Sequence, residues 1–97
     1  CDLRFCTPSA KFFYPVMKLG FLPQPSDPAR MSALIGPART KLILMGGAKL
    51  TADEALSFGL VDEVIPASEL GPFTTSIAQD ALGATPGHIS AIKALIA

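Results

Sequence analysis

The residues best suited to chemistry lie in or beside a proline-rich segment, residues 15–28. By type, Asp27 could act as a general base, Gln24 could hydrogen-bond a substrate group, and Tyr14 could donate a proton. Each also has a purely structural interpretation: Asp27 as a helix N-cap, Tyr14 as a strand residue, Gln24 and Lys18 as solvated surface. Because the ordinary pKa of an aspartate is about 3.9, Asp27 would need burial to work as a base near neutral pH. The structural interpretation is therefore the simpler one for all four residues.

The remaining reactive side chains form no catalytic or metal-binding pattern. His88 is the only histidine, and its place after Thr85-Pro86-Gly87 predicts a surface position in the first turn of a helix. Cys1 and Cys6 are the only cysteines, and their spacing in a predicted strand points them to opposite faces, which argues against a disulfide. Paired ligand clusters for zinc, a G-x-S-x-G elbow and glycine-rich phosphate loops are all missing from the sequence.

Composition excludes several functional classes. The chain has 97 residues, 49% of them hydrophobic, which predicts one small domain with its own core. Eight basic residues balance eight acidic ones, so no basic surface is expected to bind nucleic acid. No aliphatic run approaches the roughly 20 residues that span a bilayer, and no signal peptide is recognisable. These features predict a protein of the reducing cytoplasm. Because Cys1 opens directly on strand-like residues, we expect a piece of a longer chain.

Two short strands and two helices are predicted to hold the proline-rich segment. Alternation of apolar and charged residues predicts a half-buried strand over residues 1–6, and residues 11–14 form a short aromatic strand ended by Pro15. The proline-rich segment should be a stiff, irregular loop. Ser26 or Asp27 is expected to cap the helix that follows, which should end at Gly36. Pro37 opens a second helix, which residues 46–47 terminate.

The second half of the chain is predicted to be mostly helical. Thr51-Ala52-Asp53-Glu54 is a capping box, and the helix that it starts should end at Gly59. A short strand or extended return covers residues 60–65. Ser68 is predicted to cap a helix reaching about residue 82, whose regular start Gly71-Pro72 could delay. The last helix should begin at Thr85-Pro86 and carry an apolar face composed of Ile89, Ile92, Leu95 and Ile96.

This order closely resembles the C-terminal half of the crotonase superfamily, the enoyl-CoA hydratases and isomerases. The most specific piece is Leu50 to Pro66, which matches the pattern S-A-x-E-A-x-x-x-G-L-V-x-x-V-x-P. Val16-Met17-Lys18-Leu19-Gly20-Phe21-Leu22-Pro23 is similar to the active-site loop of that family. Shorter matches are the strand Cys1-Asp2-Leu3-Arg4, the strand Ala10-Lys11-Phe12, and the two helices at residues 30–36 and 38–44.

The resemblance implies an α/β fold that is rich in helix. Residues 1–66 would form the last turn of a crotonase-like β-β-α spiral. Residues 67–97 would begin the C-terminal helical region, which in that family assembles homo-oligomers of the trimer type. The chain would thus be the later part of a larger enzyme.

The resemblance also implies chemistry on an acyl-CoA thioester, through an enolate held by two backbone N–H groups. Both donors would come from segments upstream of Cys1, as would the first of the two glutamates that hydratases use. The second glutamate would follow Pro15, where this chain has Val16. The loop pattern G-A-G-G-T-Q-R is replaced by residues 24–30, of which only Arg30 agrees. No catalytic residue is intact by this comparison, and Asp27 is the remaining candidate.

By the same resemblance, the substrate would be contacted by Pro15, Val16, Leu22, Pro23 and Gln24. Coenzyme A would enter as part of the substrate, with no resident cofactor or metal. Two hypotheses follow. The chain is part of an acyl-CoA lyase or isomerase that is inactive by itself, or it is a non-catalytic module, truncated or recombined, that retains only packing and self-association surfaces.

Overall fold

Short strands are interspersed among helices in the computed structural model, which describes residues 2–97. In chain order the elements are β1 Phe5–Cys6, β2 Lys11–Phe12, α1 Val16–Leu19, α2 Asp27–Ile35, α3 Pro37–Leu44, β3 Leu50–Thr51, α4 Ala52–Phe58, β4 Glu63–Val64, α5 Ala67–Leu82 and α6 Pro86–Ile96. Helix therefore dominates the described part of the chain, as the sequence predicts.

The strands pair across long sequence separations. β1 and β4 are parallel, with Phe5 opposite Glu63 and Cys6 opposite Val64. β2 and β3 are antiparallel and form a second, separate two-stranded sheet. Because each pair consists of two strands only, the outer edges of both sheets remain open within residues 2–97.

Arg4 holds the parallel pair in register. Its N–H donates to Asp62 Oδ2 at 2.8 Å, and its Nε donates to the Leu60 carbonyl at 2.8 Å. In return the Asp62 N–H donates to the Arg4 carbonyl at 2.8 Å. Arg4 thus binds the turn before β4, and the paired strand residues begin at Phe5. The strand predicted over residues 1–6 is therefore too long where the structure describes it, and Cys1 lies outside the described residues.

Two small apolar clusters form the core. The first contains Cys6, Ala52, Ala55 and Val61. The second contains Ile35, Ile43 and Leu50. Phe12 and Leu60 pack against both clusters and join them. Cys6 is a buried free thiol, and burial together with the charge of Asp53 raises its pKa.

The predicted capping box is confirmed at the start of α4. The Thr51 hydroxyl accepts the Glu54 N–H at 3.2 Å, and the Glu54 carboxylate accepts the Thr51 N–H at 3.1 Å. At the other end Gly59 takes a left-handed conformation, with φ of 86°, as the C-cap. These local signals place α4 so that Ala52 and Ala55 face the core.

Other boundaries differ from the predictions. The proline-rich segment is not wholly irregular, because it contains α1, which Gly20 ends with φ of 73°. Ser26 stands at the N-cap of α2 without a side-chain bond, and Asp27 lies inside the helix, so neither caps it as predicted. α5 begins at Ala67 and runs through Pro72 with no delay.

α5 and α6 lie on the outside of the molecule. Neither helix has a buried residue. Two contacts tie them to β1 and the residues just before it: Phe73 stands edge-on to Phe5 at 5.2 Å between ring centroids, and Lys93 forms an exposed ion pair with Asp2 at 3.0 Å. The radius of gyration is 15.6 Å, above the roughly 12–13 Å expected for a compact chain of this length. Across residues 2–97, no helix combines the length and apolar character needed to cross a membrane.

Candidate active-site groove

An apolar groove separates α1 and its following loop from the end of α3. Its volume is about 410 Å³, within the range of small-molecule sites, and it is open to solvent. Val16 is buried, whereas Leu22 is 93% exposed. The lining consists of Val16, Met17, Gly20, Phe21, Leu22, Pro23, Leu44 and Met45. Since none of these residues titrates, the groove can hold an apolar group but offers no side chain for proton transfer.

Backbone hydrogen bonds shape the wall of this groove. The Phe21 N–H donates to the Val16 carbonyl at 2.9 Å, and the Gly20 N–H donates to the Met17 carbonyl at 3.3 Å. The left-handed backbone at Gly20 lets the chain reverse direction after one helical turn. The loop therefore returns past α1 and presents Leu22 and Pro23 to the groove.

Tyr14 and Asp27 lie 13 positions apart in the sequence and are joined by a hydrogen bond. The Tyr14 hydroxyl donates to Asp27 Oδ2 at 2.7 Å, in a partly buried position. This bond to the carboxylate is the main reason that the pKa of Tyr14 is raised above its ordinary value. The Gln24 N–H lies 3.4 Å from the same hydroxyl. Neither Tyr14 nor Asp27 lines the groove, but together they bracket the loop that forms it.

The structure gathers only some of the predicted contact residues. Val16, Leu22 and Pro23 line the groove, but Pro15 and Gln24 do not. Pro15 instead borders a cavity of about 70 Å³ that also contacts Tyr14 and Lys18. Gln24 is exposed, and it contacts Tyr14 through its backbone N–H rather than through its side chain.

A second apolar groove, of about 730 Å³, lies between α5, α6 and the residues before β1. Ile89, Ile92 and Ile96 line it from α6. Leu95 does not line the groove and is 87% exposed, so the predicted four-residue apolar face is divided. Sequence periodicity predicted the apolar residues of α6. It could not predict the groove, because residues of α5 form part of its lining.

His88 is exposed at this second groove, as predicted, and its N–H donates to the Thr85 hydroxyl at 3.2 Å. Among residues 2–97, no group of three or more His, Cys, Asp or Glu side chains is close enough to hold a metal ion.

Comparison with known proteins assigns the class. The family model for enoyl-CoA hydratase/isomerase matches residues 1–97, so the chain belongs to that family. Carnitinyl-CoA dehydratases from Salmonella paratyphi A and Salmonella agona are 34% identical to it over 92 residues, which are 95% of this chain. The chain spans about a third, 35%, of the length of these curated relatives.

Solved structures agree with this assignment. An enoyl-CoA hydratase/isomerase family protein from Hyphomonas neptunium superposes with a TM-score of 0.87 at 32% identity, over 99% of this chain and 37% of that one. DspI from Pseudomonas aeruginosa gives a TM-score of 0.88 at 27% identity, over 99% of this chain and 39% of that one. The predicted fold class, a helix-rich part of the crotonase-like α/β fold, is thereby confirmed.

Proposed function

We propose that this chain forms the acyl-facing wall of an enzyme that acts on acyl-CoA thioesters. The observation that carries the proposal is the apolar groove of about 410 Å³ at the loop that resembles the active-site loop of the family. The membership in the enoyl-CoA hydratase/isomerase family supports an acyl-CoA substrate. In this proposal coenzyme A is part of the substrate and no cofactor resides in the protein.

The chemistry of the groove favours binding over catalysis. Val16 occupies the position that resembles the second glutamate of hydratases, and it supplies none of the roughly 10²–10⁴-fold that positioned proton transfer contributes. By the same resemblance, the N–H pair that stabilises the enolate lies outside these residues. We therefore propose a lyase or isomerase step through an enolate for the whole protein, with reactions other than hydration as suitable as hydration. For these 97 residues alone we propose no activity.

The wider setting is part of the same proposal. Balanced charge supports a protein that does not bind nucleic acid, and family membership supports a role in fatty acid metabolism. A cytoplasmic location without membrane binding belongs to the same proposal. By the same resemblance, residues 1–66 form the end of a spiral, and residues 67–97 begin a helical region that assembles a homo-oligomer of the trimer type. The exposed apolar residues of α5 and α6 favour such an assembly.

Calorimetry tests the binding proposal. Octanoyl-CoA should bind at least tenfold more tightly than free coenzyme A, because each buried methylene contributes about 0.8 kcal/mol. Leu22→Asp should remove this preference. Leu95→Asp is the matched control, because Leu95 is similarly exposed, 87% against 93%, but lies outside the groove. Equal affinity for the two ligands, or equal effects of the two variants, would contradict the proposal.

An activity assay tests the catalytic part. The purified 97-residue chain should not hydrate crotonyl-CoA above the uncatalysed rate, since Val16 has no proton to exchange. Measurable turnover by the chain would refute this expectation.

The second candidate function is a non-catalytic self-association module, favoured by the absence of buried residues in α5 and α6. It predicts oligomers at micromolar concentration by light scattering. A double variant, Leu82→Asp with Ile96→Asp, should shift them towards monomer. A wild-type chain that is cleanly monomeric would rule out this candidate.

A further inference from the structure

One hydrogen bond connects the two ends of the loop at residues 15–26. Tyr14 lies just before the loop and Asp27 just after it, and their side chains meet at 2.7 Å. This length is typical of an O–H donor, and a bond to an ionised acceptor is stronger than one between neutral groups. The position is partly buried, which reduces competition from water.

The same hydroxyl reaches the groove wall through the backbone. The Gln24 N–H is 3.4 Å from the Tyr14 hydroxyl oxygen, and the Asp27 N–H donates to the Gln24 carbonyl at 3.0 Å. Gln24 directly follows Pro23, a lining residue. Because the proline rings at residues 23 and 25 restrict the backbone on both sides of Gln24, a constraint on Gln24 is passed to Leu22 and Pro23.

Other bonds do not replace this link. Within residues 2–97, the backbone–backbone hydrogen bonds of residues 20–24 go to Val16 and Met17 in α1 or to Asp27. Leu22 itself is 93% exposed, so packing does not hold it. The Phe21–Val16 bond fixes the start of the outer wall, and beyond it the positions of Leu22 and Pro23 depend on the bonds of Gln24, one of which goes to the Tyr14 hydroxyl.

We propose that Tyr14 and Asp27 form a positioning pair, a latch that fixes the outer wall of the groove and so determines which lengths of acyl chain it accepts. The acyl-length part rests on the proposed function. The latch itself is a property of the loop. Tyr14 and Asp27 do not touch the groove, so neither is a catalytic residue in this proposal.

A titration tests the bond. Tyr14 is the only tyrosine and the chain has no tryptophan, so absorbance at 295 nm reports this phenol alone. Asp27→Asn should move the midpoint down towards the ordinary value of about 10. Asp2→Asn, which removes a distant carboxylate, should leave the midpoint in place. The cavities beside Tyr14 are also bordered by three cationic side chains, Lys11, Lys18 and Lys49. All the variants retain these lysines, so they do not contribute to a difference in midpoint. An unchanged midpoint in Asp27→Asn would refute the latch.

Hydrogen exchange tests the effect on the loop without any ligand. Tyr14→Phe removes only the hydroxyl, and amides in the peptide 19–27 should then exchange about tenfold faster. Thr74→Val is the matched control, because it removes an exposed hydroxyl that donates to the Gly71 carbonyl at 2.9 Å, far from the loop in sequence. Exchange as slow as in the wild type would overturn the proposal.

Ligand selectivity tests the acyl-length part. The wild type should prefer octanoyl-CoA to butyryl-CoA, and Tyr14→Phe should reduce that ratio several-fold while affinity for free coenzyme A stays the same. An unchanged ratio would contradict the role of the latch in selectivity. If the wild type binds no acyl-CoA at all while exchange still accelerates in Tyr14→Phe, the proposed function and the acyl-length part are refuted and the latch is supported.

Discussion

α4 and α6 begin in the same way and end in different surroundings. Each is capped by a threonine, Thr51 or Thr85, whose hydroxyl accepts the N–H three residues later. In α4, Ala52 and Ala55 are 2% and 0% exposed, while α6 has no buried residue. The two helices therefore differ in what covers their apolar face rather than in their local signals.

This difference separates helix formation from core formation. Capping and glycine stops define where a helix begins and ends. Most of the stability of a helix in a protein comes from the packing of its apolar face. α4 meets the residues of β1 and β4, whereas the apolar residues of α6 line an open groove. The two regions should therefore respond differently to identical substitutions.

The largest expected contrast is in the free energy of unfolding, between Ile43→Ala, in the core-facing helix α3, and Ile92→Ala, in α6. Ile43 is 3% exposed in the second core cluster, and its truncation should cost about 2–4 kcal/mol of unfolding free energy. Ile92 is 47% exposed, and the same truncation should cost less than about 1 kcal/mol. Urea unfolding of both variants measures the contrast. Similar losses would mean that α6 is packed as firmly as α3.

Removal of the two caps should give a smaller contrast. Thr51→Ala breaks the capping box of a helix that carries the core, so it should lower the free energy of unfolding by about 1 kcal/mol. Thr85→Ala removes a comparable bond from α6 and should reduce helicity without moving the urea midpoint. Circular dichroism and urea unfolding, read together, distinguish the two effects. If the urea midpoint shifted as much in Thr85→Ala as in Thr51→Ala, the predicted difference between α4 and α6 would be wrong.

The smallest expected effect is a pH dependence of the core. The pKa of Cys6 is raised in the folded chain, so the neutral thiol contributes stability that is full below pH 9 and is lost as pH rises through the folded pKa. In a Cys1→Ser background, stability should fall as the pH rises above about 9, and Cys6→Ala should flatten that decline. Leu95→Cys in the Cys6→Ala chain should not restore the decline, because its thiol would be exposed. If stability declined with pH equally in all three chains, the buried Cys6 thiol would not be the cause of the decline.

Sequence reasoning succeeded where the information is local. The capping box at Thr51, the stops at Gly36 and Gly59, and the start of α6 each depend on a few adjacent residues, and all were found. α1 was missed although Pro15 and Gly20 mark its two ends, because a single turn between prolines is hard to distinguish from a loop. The catalytic meaning of the site residues stays a prediction.

Reasoning from sequence failed where distant residues meet. Nothing near Arg4 in the sequence indicates that it binds Asp62 and Leu60. Asp27 was expected to cap α2, but Tyr14 holds its carboxylate instead. Periodicity identified apolar residues in α6 without revealing that they would remain uncovered. Each of these outcomes depends on tertiary contacts rather than on propensity.

The parallel pairing of β1 with β4 has a consequence for synthesis. Arg4 and Asp62, which fix that pairing, are separated by 58 positions. A ribosome adding about 5–20 residues per second takes roughly 3–12 s to make this stretch. During that interval β1 exists before β4 has been made, whereas α2 and α3 can already dock on each other. The contacts of Cys6 with Ala52, Ala55 and Val61 can therefore form only late in the synthesis of this stretch.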